Sequence, residues 1–406
     1  MEYRLSKRME QLTASEVREI LKVTERPDIL SFAGGLPAPE LFPAMELAEH
    51  ARALLDEEGV RALQYAPTEG YLPLREWIAN RMNGVWGTAL GTDELLVTSG
   101  SQQGLDLVAK LFLDEGDLVW CESPTYLAAL GAFKVFGPRF QEMPTDSEGV
   151  VLEGLEERLK RERPKMAYVI PTFQNPSGKT WTPERRRGFM ELMTRYEVPV
   201  VEDNAYFEVR FDGPEYQSLK AYDPKNLVVC LASFSKVLCP GLRVAWLAAS
   251  KELVGRFVIL KQSTDLQTSN FNQMLVYRFL KANDFDARVQ KIRDTYRLRR
   301  DAMVAALEEE LPHGMDFTRP GGGMFIWLDL PEGVNAHALL DRCLKAKVAF
   351  VPGAAFHPEE PRKNTARLNF SNLPPEKIRY GVRVFAQALA EEMAELGLTR
   401  TKSACC

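Results

Sequence analysis

A chain of 406 residues, 45 % apolar and 26 % charged, is large enough for two domains and too apolar to be disordered. Its net charge of −5 leaves no basic footprint for nucleic acid. No apolar run approaches the ~18 residues needed to span a bilayer, so no membrane partner is expected. The N-terminal segment, Met1 to Glu10, has no apolar signal core, and the six cysteines have no CxxC spacing. Both features point to a reduced, cytoplasmic protein. His50, His313, His337 and His357 are scattered without metal-ligand spacing, so no metal is expected.

In chain order, Glu16-Val-Arg-Glu-Ile-Leu21 begins a predicted helix with Val17, Ile20, Leu21 and Thr24 as its buried stripe and Arg18 on a flank. Ile29-Leu-Ser-Phe-Ala33 then leads into a glycine pair, Gly34 and Gly35. Tyr65 and Tyr71 lie on the loop Leu63 to Arg75, where packing alone could account for them. Leu74, Ile78, Met82 and Val85 recur at helical spacing. From about Leu47 to about Val289 strands alternate with helices, with no repeats and no low-complexity linker, which makes this an α/β region.

Within that region the polar residues gather after strands. The run Glu94 to Thr98 precedes Ser99-Gly-Ser-Gln-Gln103 and a helix starting near Gly104. Ser101, Gln102 and Gln103 therefore stand at a helix N-terminus, where free N–H groups and the dipole favour a phosphate. An ordinary serine cap is the plain alternative. Asp117 to Cys121 leads to Pro124 and Tyr126, the latter a stacking or a core aromatic. Met166 to Ile170 precedes Asn175-Pro176, where the asparagine is a turn residue or an amide donor. Pro199 to Val201 runs into Asp203 and, three residues on, Tyr206.

The richest stretch follows the strand Asn226 to Ala232. It delivers Ser233, Ser235 and Lys236, and Pro240-Gly241 turns the chain so that Arg243 returns. One amine beside two hydroxyls and a guanidinium suits an aldehyde cofactor carrying a phosphate. Downstream, Ile292, Tyr296, Met303 and Leu307 mark a long helix. Gly321 to Gly323 bend into a strand ending at Leu330, and Val348 to Val351 and Arg367 to Phe370 give two more. These form a smaller α+β domain together with the N-terminal segment.

The pattern S-x-S-K-x-x-x-P-G-x-R at Ser233 to Arg243 resembles the cofactor-lysine motif of fold-type-I pyridoxal-phosphate enzymes. With the Ser101 turn, Tyr126, Asn175, and Asp203 with Tyr206 in the same order, the chain is similar to class I aminotransferases, from about Ser15 to about Leu396. Within them it resembles the 2-aminoadipate, kynurenine and multi-substrate subgroup. The resemblance implies an aspartate-aminotransferase-like fold with a mostly parallel seven-stranded sheet. It implies an N-terminal capping segment over 1–46, a cofactor domain over 47–289, and a bridging helix with the small domain over 290–406.

By the same resemblance, Lys236 bonds the aldehyde of pyridoxal 5'-phosphate and Tyr126 stacks on its ring. Asp203 meets the ring nitrogen, and Asn175 and Tyr206 reach the phenolate. Ser101, Gln102, Gln103, Ser233, Ser235 and Arg243 hold the phosphate, with Tyr65 supplied from a second subunit of a homodimer. Arg367 binds the substrate α-carboxylate, while Gly34, Gly35 and the helix of Arg18 lie over the pocket. Val237 and Cys239 depart from the threonine and alanine usual there, close to the cofactor. The implied reaction is ping-pong amino transfer between an L-amino acid (2-aminoadipate, aromatic or branched-chain) and an oxo acid such as 2-oxoglutarate. A β-lyase or decarboxylase on the same residues is the alternative. A regulator's sensor domain is a further one, disfavoured because only about thirty residues precede Phe32.

Overall fold

The computed structural model describes residues 4–12, 20, 22, 26–312 and 314–398. The predicted helix bearing Arg18 therefore lies largely outside the described residues, and Arg18 itself does. The main sheet has seven strands: β1 (Leu95–Thr98), β2 (Leu118–Glu122), β3 (Arg139–Met143), β4 (Met166–Val169), β5 (Val200–Asp203), β6 (Val228–Ser233) and β7 (Ala245–Ala248). They lie in the order β1-β7-β6-β5-β4-β2-β3. β7 is antiparallel to both its neighbours, and every other pairing is parallel.

The central strands read as unbroken apolar runs because both faces of the sheet are covered. Successive side chains of a strand point to opposite faces. In β6, Val228, Cys230 and Ala232 enter one core, while Val229 and Leu231 enter the other. β1 divides the same way, with Leu95 and Val97 on the first face and Leu96 on the second. Helix α1 (Ser101–Phe112) closes the second face with Leu105, Leu107 and Val108. Helix α2 (Pro183–Tyr196) closes the first with Phe189, Met190 and Met193.

The second sheet contains β8 (Asp316–Phe317), β9 (Phe325–Asp329), β10 (Val351–Pro352) and β11 (Thr365–Asn369), antiparallel in the order β8-β9-β11-β10. Helix α3 (Phe285–Glu310) buries Ile292, Tyr296, Met303 and Leu307, the positions its spacing marked, and packs along the C-terminal helix Pro375–Glu395. Near its start Arg288 donates to the carbonyls of Leu41, Val237 and Leu238, at 2.8–2.9 Å.

Three local features differ from the sequence reading. The helix over Leu74 stops at Arg81 and continues as a π-turn, Met82–Trp86, which turns the Trp86 indole to donate to Glu208 at 3.1 Å. Periodicity cannot register that extra residue per turn. The run Val348 to Val351 is not one strand: Val348–Ala349 pairs with Leu30–Ser31, and Val351–Pro352 joins the second sheet. β3 went unread because its residues, Arg139-Phe-Gln-Glu-Met143, are those of a partly exposed edge. The glycine run is a bend as expected, and its reason is close approach. A Cβ on Gly322 would stand 2.3 Å from the ring of Phe173.

Leu231 is fully buried beneath α1, where its side chain lies 3.0 Å from the position of a Cβ on Gly104. Leu231→Ala should lower unfolding stability by roughly 2–5 kcal/mol. The check is a urea titration, in which the midpoint falls while the slope stays constant.

Candidate functional site

Covering both faces of the sheet leaves its strand ends as the place for polar side chains. The ends of β1, β2, β4, β5 and β6 open on a cavity of about 250 Å³. Its wall holds Ser101, Gln102, Tyr126, Asn175, Asp203, Tyr206, Ser233, Ser235, Lys236 and Arg243, with Ile170, Ala205 and Pro240 between them. A wider cleft of about 980 Å³ lies beside it, but charged residues there such as Asp316, Glu359 and Arg362 are exposed. The buried Asp203 and Tyr206 line the smaller cavity together with Lys236.

Lys236 caps a short 3₁₀ turn after β6 and donates from Nζ to the Gly35 carbonyl at 2.8 Å. Burial, with Arg367 and Arg243 adding their charges, lowers its amine to about 8. A substantial fraction of Lys236 is then neutral near pH 7–8, the form that attacks a carbonyl or accepts a proton.

Asp203 ends β5. Tyr168, on the neighbouring β4, donates its hydroxyl to Asp203 Oδ2 at 2.9 Å, while Oδ1 is buried without a hydrogen-bond partner among the described residues. Burial raises this carboxyl to about 6 against the pull of the Tyr168 hydrogen bond. A buried, unpaired carboxylate oxygen costs free energy unless a donor reaches it. A protonated ring nitrogen is such a donor.

The far end of the cavity suits a phosphate. Ser101 begins α1, and its hydroxyl is buried and unpaired. Gly100, the residue before it, has φ +88°, and a Cβ there would fall 2.0 Å from Arg243 Nη2. The turn and the guanidinium approach so closely that only glycine fits. Arg243 itself holds a left-handed φ of 54° after the Pro240–Leu242 turn. Ser233 and Ser235 share a hydroxyl hydrogen bond of 2.8 Å beside them. These donors fit an anion, and Asp203 fits a pyridinium, so the residues present match pyridoxal 5'-phosphate.

Arg367 lies behind Asn175, to whose Oδ1 it donates at 2.8 Å, and it also donates to the Ala33 carbonyl at 2.7 Å. Its guanidinium stacks over Phe325 and Phe356 at 4.3 and 5.1 Å, and its buried Nε has no hydrogen-bond partner among the described residues. Burial lowers it to about 10, so it remains cationic at neutral pH. Asn175 Nδ2 stands 3.4 Å from the Tyr206 hydroxyl. Gly34 is buried, and Gly35 is set against the Phe325 ring.

Arg367, Gly34 and Gly35 stand outside the cavity wall, and so do two residues expected to bind the cofactor, Gln103 and Tyr65. Gln103 is absent from its wall, because its Oε1 accepts from the Ser99 N–H at 2.8 Å and from Lys261 Nζ at 2.7 Å. Tyr65 is 78 % exposed on a separate groove and does not enter this chain's own cavity.

The sequence reading also passed over Tyr168 and Glu122. Glu122, at the end of β2, accepts from the Ile170 N–H at 2.7 Å and from the Trp181 indole at 2.9 Å, and burial raises it to about 7. Each is one polar residue in a buried strand next to a strand that ends in a site residue. That signal was present but was read as strand composition.

Because the folded state raises Asp203 from 3.8 to about 6, ionising it costs stability. The folded state binds this proton more tightly, so the Asp203 contribution to stability is greatest below pH 4 and is lost as pH rises through about 6. Asp203→Asn should therefore stabilise the cofactor-free protein at pH 7.5 by on the order of 1–3 kcal/mol. The gain should vanish near pH 3.5, and thermal unfolding at the two pH values measures it.

A sequence profile described as aminotransferase class I and II matches residues 39–385. A 2-aminoadipate transaminase of Thermus thermophilus is 47 % identical over 383 residues, 93 % of this chain and 94 % of that one. An aromatic-amino-acid aminotransferase of Thermococcus litoralis is 43 % identical over 387 residues, covering 94 % and 93 %. Among solved structures, an α-aminoadipate aminotransferase of T. thermophilus complexed with N-(5'-phosphopyridoxyl)-L-leucine superimposes with a TM-score of 0.90. That match has 45 % identity and covers 96 % of this chain and 98 % of that one.

Proposed function

Because this chain belongs to the class I and II aminotransferases and is a pyridoxal-phosphate-dependent enzyme, we propose that it moves the amino group of 2-aminoadipate, aromatic or branched-chain L-amino acids to a 2-oxo acid, 2-oxoglutarate foremost. The observation that carries the proposal is the pairing, in one buried cavity, of a lysine amine lowered to about 8 with a carboxylate that has an unpaired oxygen. Support for the substrates comes from relatives at 43–47 % identity, which are named for aromatic amino acids and 2-aminoadipate.

Pyridoxal phosphate, when bound, supplies an aldehyde for amino groups and an electron-withdrawing ring. In this reading Lys236 holds the aldehyde end. Its Nζ, when free, would take the proton from the substrate Cα as general base and deliver it to the cofactor's aldehyde carbon as general acid. Asp203 keeps a proton on the ring nitrogen, and Tyr168 orients the carboxylate. Tyr126 covers one ring face, and Asn175 and Tyr206 address the phenolate. Ser101, Gln102, Ser233, Ser235 and Arg243 bind the phosphate. Arg367 is the cation for the α-carboxylate, with its guanidinium plane already fixed by Phe325 and Phe356.

Residues 1–46 are proposed to belong with 290–406 to one small domain beside the cofactor domain of 47–289, with Gly34, Gly35 and Arg18 serving the substrate. The pairing of Leu30–Ser31 with Val348–Ala349 supports this, as does Ile20 packing against the cluster of Ala33, Trp327 and Phe356. A homodimer, with Tyr65 entering the partner's phosphate site, is supported by the exposed apolar surface at Val60, Leu63, Tyr65 and Leu72. Free thiols at Cys121, Cys230, Cys239 and Cys343 support a reducing, cytoplasmic location.

Donor profiling tests the proposal. With 2-oxoglutarate, 2-aminoadipate, phenylalanine, kynurenine and leucine should each yield glutamate, and without an oxo-acid acceptor no sustained turnover should occur. Ammonia or carbon dioxide released without an acceptor would instead identify a lyase or decarboxylase. Lys236→Ala should abolish turnover and the visible absorbance of the cofactor-linked lysine. Arg18→Ala should cost 2-aminoadipate about ten- to hundredfold in kcat/KM, the worth of a charge-assisted pair, and leave leucine nearly unchanged. Arg367→Ala should raise KM for every donor and for the oxo acid.

A further inference from the structure

The phosphate turn has a carboxylate directly behind it. Asp265 Oδ2 accepts from the Ser99 hydroxyl at 3.1 Å, one residue before Gly100. Such a carboxylate, set under a turn built to take an anion, would repel the anion across a few ångströms of protein. Lys261 sits between them. Its side chain is fully buried in the helix Lys251–Thr264, and its Nζ donates to both Asp265 oxygens at 2.8 and 3.0 Å. The same Nζ donates to Gln103 Oε1 at 2.7 Å, and that oxygen also accepts the Ser99 N–H at 2.8 Å. One ammonium group thus cancels the carboxylate and fastens both ends of the turn Ser99–Gln103. Burial disfavours the ammonium and Asp265 favours it, as expected for a charge retained through its partner.

We propose that Lys261 is a positioning residue for cofactor phosphate binding, acting through Gln103 and by neutralising Asp265. It touches neither cofactor nor substrate. The proposal rests on the reading that this cavity holds pyridoxal 5'-phosphate. It accounts for Gln103, a polar residue of the turn that faces away from the cavity.

The test uses the full-length protein, measuring dissociation constants for pyridoxal 5'-phosphate and for pyridoxal, which lacks the phosphate, by absorbance titration after cofactor removal. Lys261→Met should weaken pyridoxal 5'-phosphate tenfold or more and change pyridoxal by less than twofold. Adding Asp265→Asn to Lys261→Met should recover much of that loss, since it removes the charge that the lysine cancels. Should Lys261→Met fail to fold, Gln103→Leu decides, with the same selective loss expected. Equal weakening of both ligands, no weakening of either, or no recovery in the double variant would overturn the proposal. Failure of the wild-type protein to bind pyridoxal 5'-phosphate would instead overturn the cofactor reading itself.

Discussion

Burial on both faces of the main sheet is the constraint from which the site follows. Each interior strand offers alternate side chains to two apolar cores, so a polar residue within it costs free energy unless it is paired. Polar chemistry is displaced to the strand ends, where the backbone leaves the ladder and helices begin. Six strands run the same way, and their carboxyl ends converge on one rim. Ligand sites in open α/β sheets occupy that crevice for this reason.

Within the rim, burial drives the groups apart in character. Desolvation lowers the Lys236 amine and raises the Asp203 carboxyl, pushing both toward their neutral forms. Both shifts oppose the stability of the charged groups and favour a ligand that supplies the missing partner. Tyr168, Glu122 and Lys261 are desolvated as well, but each makes a specific hydrogen bond that holds one component of the rim in place. Unpaired polar atoms of Asp203 and Ser101 thus face the cavity, while Tyr168, Glu122 and Lys261 behind them are hydrogen-bonded.

Most of the residues facing the cavity were legible in the sequence, because the chemistry of Ser233, Ser235, Lys236 and Arg243 is compact along the chain. Asp203 and Asn175 were legible for a related reason, each closely following an apolar run. The supporting residues were not, since Tyr168 reaches Asp203 across 35 positions and Lys261 reaches Gln103 across 158. Such pairings exist only once strands are ordered in a sheet. Gln103 shows the reverse error: its place in a helix N-terminus is plain from sequence, but the direction of its side chain depends on a helix far downstream. The π-turn at Met82 and the division of Val348–Pro352 between two sheets were hidden because each breaks a period within one or two residues.

The link between β6 and β7 joins the two ends of the site in one short stretch. Lys236 and Arg243 both line the cavity, and the chain between them runs from the end of one 3₁₀ turn, Phe234–Lys236, through a second, Pro240–Leu242. The spacing from reactive amine to phosphate anchor is therefore set by seven residues of a single rigid link, and not by how two domains happen to be placed. That link works as a fixed ruler matched to one ligand length. Loops elsewhere on the rim can lengthen and drift as substrates change, but a single inserted residue between positions 236 and 243 would leave amine and anchor out of step with any cofactor of that size.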